Sequence, residues 1–307
     1  METRRKWLGI ALLWAIIGTP NITIIRIAVD TVDPFMWNII RLTPVFLVTL
    51  PWIIKAWPTI RKPKAFPYVI GSGVSMAIAL VSVVLAIKTS QASYVSIITL
   101  LTPIAIIVLS SFFLKERITR RAVAGVTLAA LGGMALVVLP LALAKGAISF
   151  YPLATLFGLI NCVSFALAIV LIRRCDQVAH VPLTATIGIG AFFTVVLSVL
   201  LFFATGHTIS SVHVNESVLW AALYAGAWTS LLGRILNVEI FEKLGSATSG
   251  VIVYFETLLA IIIPVFVLHE KLSITMVVGG MFILLGLYII EHHKHPHARL
   301  HFVWHRP

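Results

Sequence analysis

The sequence predicts an all-α integral membrane protein in which ten transmembrane helices form two inverted five-helix repeats, with both termini cytoplasmic. Three observations lead to this fold class. Hydrophobic residues make up 60% of the 307 residues and charged residues only 11%, a more apolar composition than soluble domains have. The apolar residues form runs of about 20, the length of a membrane-spanning helix. A long segment of the first half also recurs in the second half, which indicates duplication.

The length of each apolar run sets the predicted spans. A helix needs about 20 mostly apolar residues to cross the bilayer. The connections are short, so each helix is expected to run antiparallel to the next. The first run is longer than the apolar region of a signal peptide and has no cleavage site, so we expect it to remain as a spanning helix. The predicted spans are residues 7–29, 35–54, 67–87, 92–113, 121–142, 150–172, 182–204, 217–240, 246–268 and 273–290.

The distribution of lysine and arginine over the connections predicts the orientation in the membrane. Cytoplasmic loops of membrane proteins carry an excess of these residues. If the N-terminus is cytoplasmic, seventeen basic residues fall in cytoplasmic segments and three, Lys88, Lys145 and Lys271, fall outside. We therefore expect both termini in the cytoplasm. The basic residues behind the net charge of +12 are then explained by the cytoplasmic connections. They do not form the single basic face that nucleic-acid binding requires.

The internal repeat relates Ala92–Val138 to Ser246–His292 by a shift of 154 positions. Each copy contains a long apolar run, a short charged turn and a second apolar run, and the shift superposes Glu116 on Glu270. Because each repeat has an odd number of helices, the second must cross the membrane in the opposite direction, as in many secondary transporters. This predicts a first repeat over residues 1–145, a second over 146–290 and a basic, histidine-rich cytoplasmic tail over 291–307.

Three sets of segments stand out along the chain: Ala11–Trp14 with Asn21 and Arg41, Ala86–Ser90 through Pro103 to Glu116, and Glu242–Ser246 through Glu256 to Glu270. In their order and spacing they resemble signatures of the EamA-type transporters of the drug/metabolite transporter superfamily. The resemblance covers nearly all of residues 7–290 and implies a transporter whose central cavity is lined by spans 1–4 and 6–9. The chain departs from the family at Arg234, where an aromatic residue is frequent, and at Thr257, where a proline often follows the glutamate. The resemblance therefore does not specify the substrate.

Three arginines, Arg26, Arg41 and Arg234, lie within predicted spans. A charge at the centre of a spanning helix costs about 2.5–3.5 kcal/mol on insertion scales, so each needs a partner, a cavity or a route to the interface. Arg26 lies within a turn of the external end of span 1, where its long side chain can reach the interface. Arg41 lies about 9 Å inside span 2 by helical rise, which leaves cavity lining and helix packing both open.

Arg234 and Glu256 are the strongest candidates for a binding site. A turn centred near Gly245 is predicted between spans 8 and 9, and both residues lie roughly 16 Å from it by helical rise. The two charges are therefore expected at one depth, with Asn237 on the same face as Arg234. One interpretation is a structural ion pair. The other makes Arg234 the anchor for a substrate carboxylate or phosphate, while Glu256 binds a substrate amine or exchanges a proton.

Polar, aromatic and helix-breaking residues complete the candidate site. Pro20 and Pro103 each remove a backbone donor, which a membrane helix tolerates where protein or water satisfies the freed carbonyl, and both are predicted hinges. Glycines spaced a heptad apart near the end of each repeat predict close helix packing. The predicted substrate-binding residues are Arg234, Glu256, Asn237, Arg41, Asn21, Trp14, Tyr94, Thr102 and Tyr254.

These features predict a secondary transporter that exports small polar metabolites, amino acids or related carboxylates, by alternating access around a midplane cavity. A drug or phosphorylated-metabolite transporter of the same fold is the alternative. An intramembrane enzyme is a further class, disfavoured because the predicted spans hold no histidine and Glu256 is their one deep acid. A passive channel is disfavoured because no ring of charges or filter-like repeat is present.

The expected partners are a small-molecule substrate and the lipid bilayer, with the proton as candidate coupling ion and no nucleic acid. We expect no cofactor, since the chain has no G-x-x-x-x-G-K-[ST] nucleotide motif. We expect no metal, because Cys162 and Cys175 lack ligand spacing. The expected location is the cell membrane, as a multi-pass protein.

Overall fold

The structure, a computed structural model, describes residues 2–114, 120–142, 151–208 and 214–291. The regular secondary structure of these residues is entirely helical, and the histidine-rich tail lies outside them. The helices are α1 (Glu2–Gly18), α2 (Asn21–Thr31), α3 (Pro34–Ile60), α4 (Phe66–Lys88), α5 (Ala92–Thr99), α6 (Thr102–Phe113), α7 (Arg120–Ala142), α8 (Pro152–Ala179), α9 (Leu183–Ala204), α10 (Glu216–Leu223), a π-helix (Tyr224–Leu232), α11 (Gly233–Val267) and α12 (Ile274–Glu291).

Within these residues, six helical segments are long and apolar enough to cross a membrane. They coincide with predicted spans 1–4, 6 and 7, although α3 continues beyond the predicted end of its span to Ile60. Shorter apolar helices cover Val123–Ala135, Leu258–Val267 and Ile274–Ile289. The all-α membrane class is therefore confirmed, whereas the count of ten spans and the cytoplasmic termini stay predictions. The six segments are Arg5–Thr31, Pro34–Ile60, Phe66–Lys88, Ala92–Phe113, Pro152–Ala179 and Leu183–Ala204.

The first span contains a helix break at the predicted hinge Pro20, between α1 and α2. Proline has no N–H, so the carbonyl one turn before it loses its helical partner. Around the break, the hydroxyl of Tyr224 donates to the carbonyl of Ile17, and the hydroxyl of Thr19 donates to the carbonyl of Ala15. Two carbonyls beside the break thus accept side-chain hydroxyls within the protein, which is how irregular backbone is tolerated at membrane depth.

A second break separates α5 from α6 and lies beside the other predicted hinge, Pro103, in the first turn of α6. The chain turns through two tight hydrogen bonds, from the N–H of Leu100 to Ile97 and from the N–H of Leu101 to Ile98. The structure thus has a break beside both prolines. That these breaks act as hinges stays a prediction.

The counterpart of α3 under the 154-residue shift is α9, and the two helices pack together. Phe35 at the start of α3 clusters with Phe202 near the end of α9. Ile60 at the end of α3 clusters with Ala185 near the start of α9. The start of each helix therefore contacts the end of the other, so the two helices are antiparallel. Two repeat-related elements therefore run in opposite directions, as an inverted duplication requires.

The predicted glycine packing occurs between α7 and α12, which are also repeat counterparts. A Cβ built on Gly132 would lie 2.6 Å from the carbonyl oxygen of Gly279, and one built on Gly286 would clash with the carbonyl oxygen of Gly125. These glycines let the two backbones touch, as small residues do in membrane helices. The order of the contacts again makes the pair antiparallel, and the prediction of close helix approach is confirmed.

The connection between predicted spans 8 and 9 differs from the expectation. Helix α11 runs continuously for 35 residues, so the turn predicted near Gly245 is not formed. The segment around Gly245 has no proline, and one glycine costs a helix only about 1 kcal/mol, so the local sequence does not force a break. At about 1.5 Å per residue α11 is roughly 52 Å long, whereas the hydrocarbon core is about 30 Å thick.

This continuous helix separates the two charges that were expected at one depth. Arg234 and Glu256 are 22 positions apart on α11, which corresponds to roughly 33 Å along the axis. The prediction that they lie side by side on neighbouring helices is therefore wrong, and so is the structural ion pair.

Glu270, which follows α11, joins the two halves of the chain. Its carboxylate accepts hydrogen bonds from the backbone N–H of Ala92 at 2.7 Å, the N–H of Ser93 at 2.8 Å and the hydroxyl of Ser93 at 2.6 Å. These residues begin α5, whose unpaired N–H groups and helix dipole favour a carboxylate. One turn further, the hydroxyl of Ser96 donates to the carbonyl of Ala260 at 2.9 Å. The glutamate of the second repeat thus caps a helix of the first.

Candidate functional site

Arg41 is buried in the first half of the chain, with 2% of its surface exposed. It lies two turns into α3, whose start is fixed by the Asp33 carboxylate, which accepts from the N–H of Phe35 at 2.8 Å. The Nε and Nη2 atoms of Arg41 donate to Oδ1 of Asn38 at 3.1 and 2.8 Å. Its Cζ also lies 6.0 Å from the ring centre of Trp37. The guanidinium is therefore held by uncharged groups one turn earlier on its own helix.

Arg234 is the second residue of α11 and contacts the middle of two spanning helices. Its Nη2 lies 3.0 Å from the sulfur of Met76, at the centre of α4. Its Cζ lies 5.5 Å from the ring centre of Phe165, at the centre of α8. A thioether is a weak acceptor, and an aromatic face stabilises a cation by only about 0.5–2 kcal/mol. The charge of Arg234 is therefore only weakly compensated.

The two arginines share one region of the protein, because Leu42 and Val45, which follow Arg41 on α3, line the same cavity as Arg234. Among the ion pairs of the described residues, neither guanidinium has a carboxylate partner. Buried charges are normally paired because an isolated one is costly. Beside Arg234 is a small cavity of about 10 Å³, room for about one water molecule. Its other lining residues are Leu42, Val45, Met76, Leu80, Ile187, Ala191 and Ser230.

The π-helix packs the second half of the chain against Arg41. A Cβ at Gly226 would clash with the carbonyl oxygen of Arg41, so this close approach requires glycine. On the next turn, Oγ1 of Thr229 lies 3.2 Å from Oδ1 of Asn21, at the start of α2. π-helical turns are rare and are frequently found at functional sites. This one leads directly into Arg234 and touches the broken first span.

Two further hydrogen-bond donors near Arg41 are buried without a partner among the described residues. They are Nε1 of Trp37 and Nδ2 of Asn38, and both residues have no exposed surface. Asn38 directs its amide oxygen at Arg41, so its amide nitrogen is beside the guanidinium as well. A buried donor without an acceptor costs about 1–3 kcal/mol. The region is therefore rich in donors and poor in acceptors.

A larger groove of about 340 Å³ lies between α11 and α12. Its lining residues are Leu258, Met281, Leu284, Leu285 and Tyr288. Because this lining is apolar and uncharged, we do not assign the candidate site to it.

The structure brings four of the predicted site residues together. Arg41 and Arg234 form the charged centre, and Asn21 contacts the π-helix beside them. Trp14 is 7% exposed and packs so closely on Gly233, the neighbour of Arg234, that a Cβ there would clash with its ring. Trp14 thus supports the helix that carries Arg234 and is a packing residue in this structure.

Other predicted site residues lie elsewhere. The hydroxyl of Tyr94 pairs with that of Thr155 at 2.6 Å in a packing cluster of α5, α8 and α12. Thr102 is half-buried at the start of α6, beyond the second helix break. Asn237 is exposed, and its place in the binding site stays a prediction. The side chain of Tyr254 lies outside the described residues.

Glu256 occupies a different region from the arginines. It is half-buried and, by four-residue spacing, shares a face of α11 with Ile252 and Ala260. Ile252 packs in a cluster with Trp14 of α1, and the carbonyl of Ala260 accepts the Ser96 hydroxyl of α5. Glu256 is therefore near both broken spans. It is not part of the site formed by Arg41 and Arg234, the arginine site.

Sequence reasoning missed two residues that shape the site, Asn38 and Ser230. Asn38 binds Arg41, and its spacing of three residues on a helix was a usable signal. Ser230 lines the cavity beside Arg234, but only the fold places it there. Glu239 is the acid next along α11 from Arg234, and at five residues it projects roughly 140° away around the helix axis.

Comparisons with known proteins agree with this architecture. The EamA-like transporter family matches residues 5–139 and 152–291, once in each predicted repeat. No curated protein matches the chain. A solved structure described only as "Crystal structure of protein" matches with a TM-score of 0.58 and 19% identity, covering 90% of this chain and 96% of its own. That likeness shows the fold alone. Because the family match spans most of the sequence, the chain belongs to the EamA-like transporter family and is a multi-pass membrane protein of the drug/metabolite transporter type.

Proposed function

We propose that this protein is a secondary transporter that exports small polar metabolites, amino acids or related carboxylates, across the cell membrane. The observation that carries the proposal is the composition of the arginine site. Arg41 comes from the first predicted repeat and Arg234 from the second, and neither has an acidic partner in the described residues. Ionisable residues within membrane spans are functional by default, because their insertion is costly. A site shared by two inverted repeats fits transport by alternating access.

The small size of the cavity and the helix breaks suggest the transport cycle. A volume of about 10 Å³ cannot hold a metabolite, so the helices around Arg234 must separate to admit one. The breaks at Pro20 and beside Pro103 supply the places where the first and fourth spans bend. Rocking of one repeat against the other then exposes the arginines to the cytoplasm and to the outside in turn. Arg234 anchors a substrate carboxylate through its planar donor fork.

Glu256 is our candidate for energy coupling. It is a half-buried acid without a hydrogen-bond or ion-pair partner in the described part of the chain, on a face that contacts both broken spans. Proton exchange at such a residue would alter the packing of α11 against α1 and α5. The substrate and the proton then use separate sites on one helix, which is the arrangement a proton-coupled exporter needs.

Reconstitution tests the proposal. The purified protein is inserted into liposomes loaded with a mixture of labelled amino acids and carboxylic acids, and release of label is measured with and without a pH gradient. We expect release by the wild-type protein and its loss in Arg234→Ala. The matched control is Arg26→Ala, which removes an arginine whose partner is the exposed Asp30 at 2.7 Å. Release equal in all three proteins and in empty liposomes contradicts the proposal.

A further inference from the structure

We infer that the arginine site binds a dianion, a molecule with two negative charges such as a dicarboxylate or a phosphate monoester. This inference rests on the proposed transport function and narrows its substrate class. It follows from the count of charges and donors around Arg41 and Arg234.

The first step is the charge balance of the site. Two guanidiniums contribute two positive charges, and the described residues supply no carboxylate to either. A monoanion between them would leave one positive charge uncompensated at membrane depth, where a lone charge is costly. A dianion compensates both. Both guanidiniums are then attracted to the same ligand.

The second step concerns the amine of an ordinary amino acid. A zwitterion needs an acceptor for its ammonium group as well as a donor for its carboxylate. Glu239 projects away from the face of Arg234, and Glu256 is roughly 33 Å further along α11. The groups that contact the arginines are uncharged: the amide oxygen of Asn38 and the ring of Trp37 at Arg41, and the sulfur of Met76 and the ring of Phe165 at Arg234. Ser230 adds a hydroxyl to the otherwise apolar cavity wall. None of these compensates an ammonium ion as a carboxylate does.

The third step is the surplus of uncharged donors. Nε1 of Trp37 and Nδ2 of Asn38 are buried beside Arg41, and no described residue supplies them with an acceptor. Carboxylate and phosphate oxygens accept several hydrogen bonds each and contribute no donor when fully ionised. A dianion therefore satisfies donors that the closed protein leaves unpaired. Arginine is also the side chain best suited to planar, two-point binding of these groups.

The decisive experiment uses matched pairs of small ligands on the full-length wild-type protein. Succinate is compared with butyrate, which has the same chain length and one carboxylate, and glycerol 3-phosphate is compared with glycerol. Alanine represents the zwitterions. Binding to the purified protein in detergent is measured at pH 8 as the ligand-dependent rise in unfolding temperature. Counterflow of labelled succinate and labelled alanine is measured in liposomes.

We expect at least one dianion to bind about tenfold or more tightly than its matched control, because each added charged hydrogen bond is worth that much. Preference for succinate identifies a dicarboxylate, and preference for glycerol 3-phosphate identifies a phosphate monoester. Arg41→Gln and Arg234→Gln should each reduce dianion binding by about tenfold or more and so remove the preference for the dianion over its matched control. Arg26→Gln should leave both unchanged.

Arg41→Lys and Arg234→Lys provide a second test if the glutamine variants fail to fold. They keep the charge and lose the planar fork, so the preference for dianions should persist with weaker binding. The inference is overturned if the wild-type protein binds succinate and glycerol 3-phosphate no more tightly than butyrate and glycerol. Counterflow of alanine without any dianion preference overturns the inference and leaves the transport function standing. Dianion binding without counterflow of any probe supports the site and contradicts transport.

Discussion

The Glu270 cap gives a prediction whose size follows from the structure. The carboxylate accepts two backbone N–H groups and one hydroxyl of α5, all within 2.8 Å. Glu270→Gln keeps the shape of the side chain and removes its charge. It also places an amide N–H₂ group, itself a donor, against the donors at the start of α5. Hydrogen bonds to a charged group contribute about 1.5–3 kcal/mol, against about 1 kcal/mol for neutral ones. Because Glu270 is half-exposed, we expect a loss of about 2 kcal/mol in the free energy of unfolding, or roughly 4 °C in the apparent Tm.

The assay is thermal unfolding of the purified protein in detergent at one scan rate, because the apparent Tm of an irreversible transition depends on it. The matched control is Glu216→Gln, which makes the same chemical change at an exposed carboxylate that accepts one bond from Nε1 of Trp220 at 3.2 Å. Ser93→Ala removes one of the three donors and should lower stability by about 1 kcal/mol. Because Ser93 and Glu270 interact directly, the double variant should lose less than the sum of the single changes. Equal Tm values for Glu270→Gln and Glu216→Gln would refute the reasoning.

Three other predictions concern packing, coupling and topology. Gly132→Ala should lower the free energy of unfolding by about 1–3 kcal/mol, because the new methyl group overpacks against Gly279. Gly9→Ala is the control: nothing lies within 4 Å of the new Cβ, so thermal unfolding should show no loss or a slight gain in stability. Equal losses in the two variants would contradict the close contact of α7 and α12. Glu256→Gln should abolish the dependence of liposome export on a pH gradient, and unchanged dependence would exclude Glu256 as the coupling residue. Reporter fusions after Lys62, Arg120 and Pro307 should all read cytoplasmic, and an external Pro307 would break the inverted-repeat topology.

Hydropathy predicted the spanning helices well because a bilayer imposes length and apolar composition directly on the sequence. Predicted span 92–113 coincides with the α5–α6 segment, and its proline lies at the internal break. The arginines within the spans could also be predicted, because a charged residue is easily recognised in an apolar run. Arg41 and Arg234 were both found in this way, from composition and depth alone.

The contacts between distant residues could not be predicted in the same way. Glu270 and Ala92 are 178 positions apart, and no local pattern shows that one caps the helix of the other. The predicted pairing of Arg234 with Glu256 failed because it relied on a turn at Gly245, and a single glycine is a weak helix terminator. The partner of Arg234 in the site, Arg41, carries the same charge, so a search for opposite charges would not have joined them.

The glycine contact between α7 and α12 has a consequence for the origin of the chain. Gly125 meets Gly286, the counterpart of Gly132, and Gly132 meets Gly279, the counterpart of Gly125. Exchanging the two repeats therefore turns one contact into the other, which is the pattern of an isologous, two-fold interface. A single five-helix ancestor inserted in both orientations would already possess this self-complementary surface. Gene fusion would then have made an existing homodimer into one polypeptide, after which each half was free to acquire its own arginine.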